Sequence, residues 1–82
     1  MARSIAMVLF DGLEELDFVG PWEVFSYLAA IQPETCRVFS VSERGGEVTC
    51  ARDCVIADHS FDDAPPADII LVPGGMGTHR GR

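Results

Sequence analysis

The chain contains no lysine: all six of its basic residues are arginine, and they stand against 13 acidic residues. With a formal net charge of -7 it lacks the basic surface that neutralises phosphates, so we expect no direct nucleic-acid binding by this segment. The same shortage of positive charge argues against docking on a membrane surface. No apolar run approaches the roughly 20 residues that span a bilayer, so no membrane association is expected.

The N-terminal sequence also lacks the marks of an export signal. In MARSIAMVLFDG a short apolar run is followed closely by acidic residues, and no small-residue cleavage site lies where a signal peptide needs one. A cytoplasmic location is therefore expected.

Cysteine and histidine are too few, and wrongly spaced, for a disulfide framework or a metal site. The three cysteines, Cys36, Cys50 and Cys54, are an odd number without a CxxC spacing, so we expect reduced thiols. Each falls in a predicted β segment, away from the glycine-rich turns and helix starts that lower a thiol pKa, which favours a structural or interface role. His59 and His79 have no HxxH or HExxH partner, so we expect no metal site.

What the chain does have is core-forming sequence, since hydrophobic residues make up 48% of it. Short apolar or β-rich runs predict strands at residues 4–10, 36–42, 47–51, 54–59 and 68–72, with a tight turn at 44–47 and a possible hairpin after it. Residues 18, 22, 25 and 29 follow helical spacing and predict one buried helix face. The helix is expected to begin near Pro21 and to end near Pro33.

The order of these elements predicts an α/β fold with a mainly parallel sheet. The strand at 68–72 has no crossover helix after it, although a parallel sheet needs one. We therefore expect residues 1–82 to be the N-terminal part of a single larger domain, by truncation or cleavage. An intact miniature domain is the alternative.

Two segments that leave buried strands predict a candidate site: DGLEELD, which contains Asp17, and PGGMGT, which contains Gly74 and Gly75. Ligands in open α/β sheets bind beyond the carboxyl ends of the strands, so the two segments share one crevice if their strands are neighbours. A Gly-Gly turn lets backbone amides approach a ligand closely, and a carboxylate between apolar neighbours can have a raised pKa suited to acid/base work.

Simpler interpretations of the same residues remain open. Asp17 can be a helix N-cap, a role that is compatible with a place in the crevice. The two glycines can be a plain turn. Glu14, Glu15 and Glu23 are expected to be solvated, although Glu14 or Glu15 could line the rim of the crevice.

The runs SIAMVLFDGLEELDFVGPWEVF, TCARDCVIAD and DIILVPGGMGT resemble the N-terminal half of the ThiJ/PfpI superfamily, whose class I glutamine-amidotransferase-like domain is a flavodoxin-like three-layer sandwich. The resemblance covers all but the last few residues. The LDFVGPWEVF segment is most similar to the subgroup that contains isonitrile hydratases, and an Asp where other branches have the longer Glu favours that subgroup.

The resemblance implies roles for three residues. Asp17 matches the acid that contacts the reactive cysteine, while Gly74 and Gly75 match the turn whose amides line the same pocket. The nucleophilic cysteine belongs to a strand-turn-helix elbow beyond residue 82, so this chain alone is expected to lack catalysis. The implied activity is cysteine-dependent hydration of a small electrophile, with no cofactor and with a homodimer in the complete protein.

Two rival functions follow from the same resemblance. One is the ligand-sensing N-terminal domain of an AraC-type transcriptional regulator, whose DNA-binding part lies elsewhere in the protein. The other is a glyoxalase, deglycase or chaperone-like stress protein, which would use the same downstream cysteine.

Overall fold

The computed structural model describes residues 2–74, which form one helix, a parallel sheet and a hairpin. The elements are β1 (Arg3–Val8), α1 (Glu15–Ile31), β2 (Cys36–Ser42), β3 (Gly46–Thr49), β4 (Cys54–Ala57), β5 (His59–Ser60) and β6 (Ile69–Leu71). Within these residues the fold is α/β with a mainly parallel sheet, as the sequence predicts.

Strand β1 lies inside the sheet, whose order is β5-β2-β1-β6. It runs parallel to β2 on one side, with Ile5 opposite Val38, and parallel to β6 on the other, with Ile5 opposite Ile69. The strands before the two candidate-site segments are therefore neighbours, which is the condition for a shared crevice. Strands β3 and β4 form a separate antiparallel hairpin.

The core lies on both faces of β1, because successive side chains of a strand point to opposite sides. Met7 and Leu9 belong to the larger cluster, together with residues of α1 and the hairpin, whereas Ala6 packs with Phe39 and Val41 on the other face. The predicted strand at 4–10 is thus confirmed in type, and three consecutive residues at its centre are buried.

Helix α1 begins earlier than predicted, at Glu15, and Pro21 lies inside it. The start near Pro21 is wrong because Glu15 and Asp17 favour a first turn ahead of the proline, where the helix dipole attracts negative charge. Pro21 lacks the N–H that would bond the carbonyl of Asp17 four residues earlier. The predicted end before Pro33 is confirmed.

The predicted inward face of α1 is confirmed: Phe18 is buried, and Trp22, Phe25 and Ala29 are partly covered. The Phe18 and Trp22 rings pack against each other at a tilt of 38°, with their centroids 5.3 Å apart. Nothing helical within residues 2–74 combines the length and the apolar character required to cross a bilayer.

The turn and the strands after β2 follow the prediction in part. Gly45 and Gly46 both have positive φ, which glycine adopts without strain, and they form the predicted turn. The predicted strand 54–59 is two strands: β4 pairs in the hairpin, while His59 and Ser60 pair in parallel with β2. The strand at 68–72 is not buried as expected, since Ile70 is 64% exposed. It has a single neighbour among the described strands, although Leu71 packs partly against the larger core cluster.

Leucines at two nearby positions test this account of the core. Leu13 is fully buried and Leu16 is 74% exposed. Leu13→Ala leaves a cavity and should lower the free energy of unfolding by about 2–5 kcal/mol, whereas Leu16→Ala should change it by less than about 0.5 kcal/mol. Urea denaturation of both variants measures the difference. Equal losses would contradict the assigned core.

Candidate functional site

The connection between β1 and α1 is hydrogen-bonded along its length to the hairpin. The Gly12 N–H donates to the carbonyl oxygen of Thr49 at 2.8 Å, and the Ala51 N–H donates to that of Leu13 at 2.8 Å. The Thr49 N–H donates in turn to Oδ1 of Asp11 at 3.2 Å. These bonds fix the path by which the chain enters α1.

Two acids at the start of α1 hold the connection between β3 and β4. Arg52 Nη1 lies 2.9 and 3.1 Å from the two carboxylate oxygens of Glu14, and the Arg52 N–H donates to Oε2 of Glu15 at 2.8 Å. The expectation that Glu14 and Glu15 are merely solvated is therefore wrong. Arg52 is absent from the predicted site residues, because its partners lie 37 and 38 positions away and no local pattern signals the pairing.

Glu15 is the more constrained of the two acids. Its Oε1 is covered and has no hydrogen-bond partner among residues 2–74. Burial raises the pKa of Glu15, but backbone N–H groups of Glu15, Arg52 and Asp53, together with the Arg52 charge, outweigh it and hold the pKa below its ordinary value. The ionised carboxylate of Glu15 therefore stabilises the contact between the start of α1 and the hairpin.

Asp17 lies in the first turn of α1, where its N–H donates to the carbonyl oxygen of Glu14 at 3.0 Å. The N-cap residue is Glu14, and no side chain caps this helix start, so the N-cap interpretation of Asp17 is wrong. The Asp17 side chain is also exposed within the described part of the chain, which removes the expected desolvation by apolar neighbours. Of those neighbours, Leu16 is exposed and Phe18 is buried.

Gly74 lies directly against Asp17. The Glu14 N–H donates to the Gly74 carbonyl oxygen at 2.9 Å, which ties the start of α1 to the segment after β6. A Cβ built on Gly74 would lie 2.8 Å from Oδ2 of Asp17, closer than real Cβ atoms approach. A side chain at position 74 would therefore require the Asp17 carboxylate to move. Of the predicted site residues, the structure brings Asp17 and Gly74 together, and Gly75 lies outside the described residues.

The environments of Cys50 and Cys54 disfavour a reactive thiolate. Cys36 and Cys50 are buried, and Cys54 is exposed. Desolvation and the charge of Glu15 raise the pKa of the Cys50 thiol. Local desolvation and the neighbouring Glu47 carboxylate raise the pKa of Cys54. Both thiols therefore stay protonated at neutral pH, which suits a structural role.

The arrangement offers a carboxylate at a helix start beside a glycine segment that leaves a neighbouring strand. A carboxylate can transfer protons, and backbone amides near a glycine turn can bind a developing negative charge. Among residues 2–74, no cysteine or serine side chain forms a hydrogen bond with the Asp17 carboxylate.

Comparison with known proteins identifies a family to which this chain is similar. The model of the DJ-1/PfpI family matches residues 3–82. Isonitrile hydratase from Pseudomonas putida is 33% identical over 79 residues, which cover 95% of this chain and 32% of that protein. The chain thus spans about a third of the length of this curated relative.

Solved structures share the fold. Drosophila melanogaster DJ-1beta matches with a TM-score of 0.80 and 25% identity, over 99% of this chain and 42% of that one. An AraC family transcriptional regulator from Pseudomonas putida matches with a TM-score of 0.73 and 16% identity, over 90% and 48% of the two chains. At 16% identity the likeness to the regulator shows the fold alone.

The contact between Asp17 and Gly74 predicts the effect of adding a single methyl group. Gly74→Ala should displace the Asp17 carboxylate, because the atom in the way is the end of a movable side chain. We expect a changed Asp17 rotamer in a crystal structure, with a loss of less than about 1 kcal/mol in stability because the backbone has room. An Asp17 carboxylate left in its place would contradict the close approach of the two residues.

The lowered pKa of Glu15 predicts an acid-sensitive part of the stability. Folding favours the ionised form of Glu15. Its contribution to the free energy of unfolding is therefore complete above the ordinary pKa of 4.5, and it is lost as the pH falls through the lower pKa that Glu15 has in the folded protein. In the Glu15→Gln variant the melting temperature should therefore fall less over this acidic pH range than in the wild type. Thermal denaturation at several pH values measures the difference. Glu23→Gln, an exposed acid on the same helix, is the control, and identical acid profiles for the two variants would contradict the assignment.

Proposed function

This chain belongs to the DJ-1/PfpI family, and from that premise we propose that it supplies the acid and glycine side of the active site of an isonitrile-hydratase-like enzyme. Residues 1–82 are then the N-terminal part of a single ThiJ/PfpI-type domain. The proposal draws on the 33% identity to an isonitrile hydratase over 95% of this chain.

The observation that carries the proposal is the contact between Asp17 and Gly74. Oδ2 of Asp17 occupies space that any side chain at position 74 would need. The Glu14 to Gly74 backbone bond keeps the two segments at this separation. An acid held against a glycine at the carboxyl end of two neighbouring parallel strands lies where ligand sites of open α/β sheets form.

Hydration of an isonitrile adds one water to the terminal carbon and nitrogen and yields an N-substituted formamide. A cysteine thiolate, which we place in the whole protein beyond residue 82, attacks the terminal carbon and later leaves when water replaces it. Asp17 takes up the two protons that the water loses and delivers one to the terminal carbon, which becomes the formyl C–H, and one to the nitrogen. Backbone amides at Gly74 and Gly75 stabilise the charge that develops next to the carbon.

The cysteines within this chain are poor candidates for that nucleophile. A thiolate nucleophile needs a lowered pKa, whereas burial and nearby carboxylates raise the pKa of both Cys50 and Cys54. This contrast supports a nucleophile elsewhere in the whole protein.

A homodimer and a cytoplasmic location remain predictions for the whole protein. The described face of α1 that points away from the core carries four large exposed apolar side chains, at Leu16, Val24, Tyr27 and Ile31. A second copy that buried this face would remove an apolar surface from water.

A ligand-sensing domain of an AraC-type regulator is the second candidate function. The likeness to such a regulator, with a TM-score of 0.73, favours it at the level of fold. A sensor needs the pocket but not the proton transfer, so the two functions differ in what Asp17 must do.

Substitution of Asp17 in the full-length protein tests the proposed enzyme. Asp17→Asn keeps the size of the side chain and removes its proton transfer, so formamide production from an isonitrile should fall by about 10²–10⁴-fold in kcat. The melting temperature should stay close to that of the wild type, because asparagine keeps the size and the polarity of the side chain. Glu23→Gln is the control and should leave kcat unchanged.

Three outcomes would contradict the proposal in different ways. Near-normal turnover by Asp17→Asn would remove the proton-transfer role. Absence of isonitrile turnover together with turnover of methylglyoxal would favour the glyoxalase or deglycase alternative. Ligand-dependent DNA binding without any turnover would favour the regulator.

A further inference from the structure

A cleft of about 450 Å³ opens at the carboxyl ends of β1 and β2, where the hairpin approaches the sheet. Its size lies within the range of small-molecule sites, and its place beyond the ends of parallel strands is where such sites form. Neither Asp17 nor Gly74 lines it, so the proposed isonitrile chemistry makes no use of this cleft.

The cleft is lined in part by Ser42, which has a buried hydroxyl without a partner. Ser42 is 5% exposed, and its Oγ forms no hydrogen bond among residues 2–74. Ser40, two residues earlier on the same face of β2, shows the usual arrangement: its Oγ accepts a hydrogen bond from the Asp58 N–H at 2.9 Å. A buried hydroxyl that loses water and gains no partner is costly, so a hydrogen-bonding group that reached Oγ of Ser42 from the cleft would relieve that cost.

The charges around the cleft are mostly negative. Three carboxylates line it, from Asp11, Glu43 and Glu47, against the single guanidinium of Arg44. One oxygen of Asp11 accepts the Thr49 N–H, which leaves the other available. An occupant with positive charge and several hydrogen-bond donors fits these acceptors.

The remaining walls are apolar. Phe10 and Phe61 contribute aromatic rings, and Val8 and Val48 contribute aliphatic side chains. An occupant therefore needs an apolar body as well as a charged end. We propose that this cleft binds a small primary amine, whose ammonium group donates hydrogen bonds to Oγ of Ser42 and to the carboxylates while its apolar body packs between Phe10 and Phe61.

Calorimetric titration of the full-length protein with three matched probes tests the proposal. The probes are 2-phenylethylamine, 2-phenylethanol and phenylacetate, which share an aromatic body and differ in the charge of the end group. The amine should bind at least about tenfold more tightly than the alcohol, since a hydrogen bond to a charged group is stronger than a neutral one. Phenylacetate should bind more weakly than either.

Two variants locate the binding in the cleft. Ser42→Ala should weaken amine binding by about tenfold or more. It should leave the melting temperature unchanged or higher, because it removes a hydroxyl that lacks a partner. Glu43→Gln should also weaken amine binding, most clearly at low salt, and Glu23→Gln on α1 should have no effect.

The proposal is overturned by equal affinity for amine and alcohol, by absence of amine binding, or by unchanged amine binding in Ser42→Ala. It is also overturned if Ser42→Ala lowers the melting temperature by several degrees, because Ser42 would then have a structural partner, such as a buried water or another segment of the whole protein. A Ser42→Ala variant that loses amine binding but keeps isonitrile turnover would show that the proposed reaction does not use this cleft.

Discussion

The structure depends on the connection between β1 and α1, which is hydrogen-bonded on two sides. On one side Gly12 and Leu13 bond to the hairpin, and on the other the Glu14 N–H bonds to the Gly74 carbonyl oxygen. A connection without these bonds would leave polar backbone groups to water and the first turn of α1 without a fixed position. Because both sides are fixed, the chain enters the helix at one place and carries Asp17 to the side of Gly74.

This constraint explains why the candidate site draws on distant parts of the sequence. The hairpin contributes no side chain to the contact between Asp17 and Gly74, yet it fixes the helix start through Arg52 and the ionised Glu15. The exposed ion pair between Arg52 and Glu14 adds little by itself, about 0–1 kcal/mol. The backbone bonds and the burial of Leu13 provide most of the order, and the charged groups orient the connection.

The sequence predicts the class of fold well, because continuous apolar runs that end in glycine or proline turns are typical of buried parallel strands. It also predicts that Asp17 and Gly74 share one edge of the sheet. It does not predict the start of α1, since the acidic first turn at Glu15 and Asp17, together with the fixed connection ahead of it, outweighs the preference of proline for a helix start. The role of Arg52 and the exposure of Asp17 arise from contacts between segments far apart in the chain, and no local pattern carries that information.

The central claim is that Asp17 and Gly74 form one side of a pocket that a cysteine completes. A crystal structure of the full-length protein tests it most directly, through the distance from the Asp17 carboxylate to the nearest cysteine sulfur. We expect a sulfur from the sequence beyond residue 82 within hydrogen-bonding distance of that carboxylate, in the space that Gly74 borders. An Asp17 carboxylate that faces solvent, with no cysteine near it, would contradict the account.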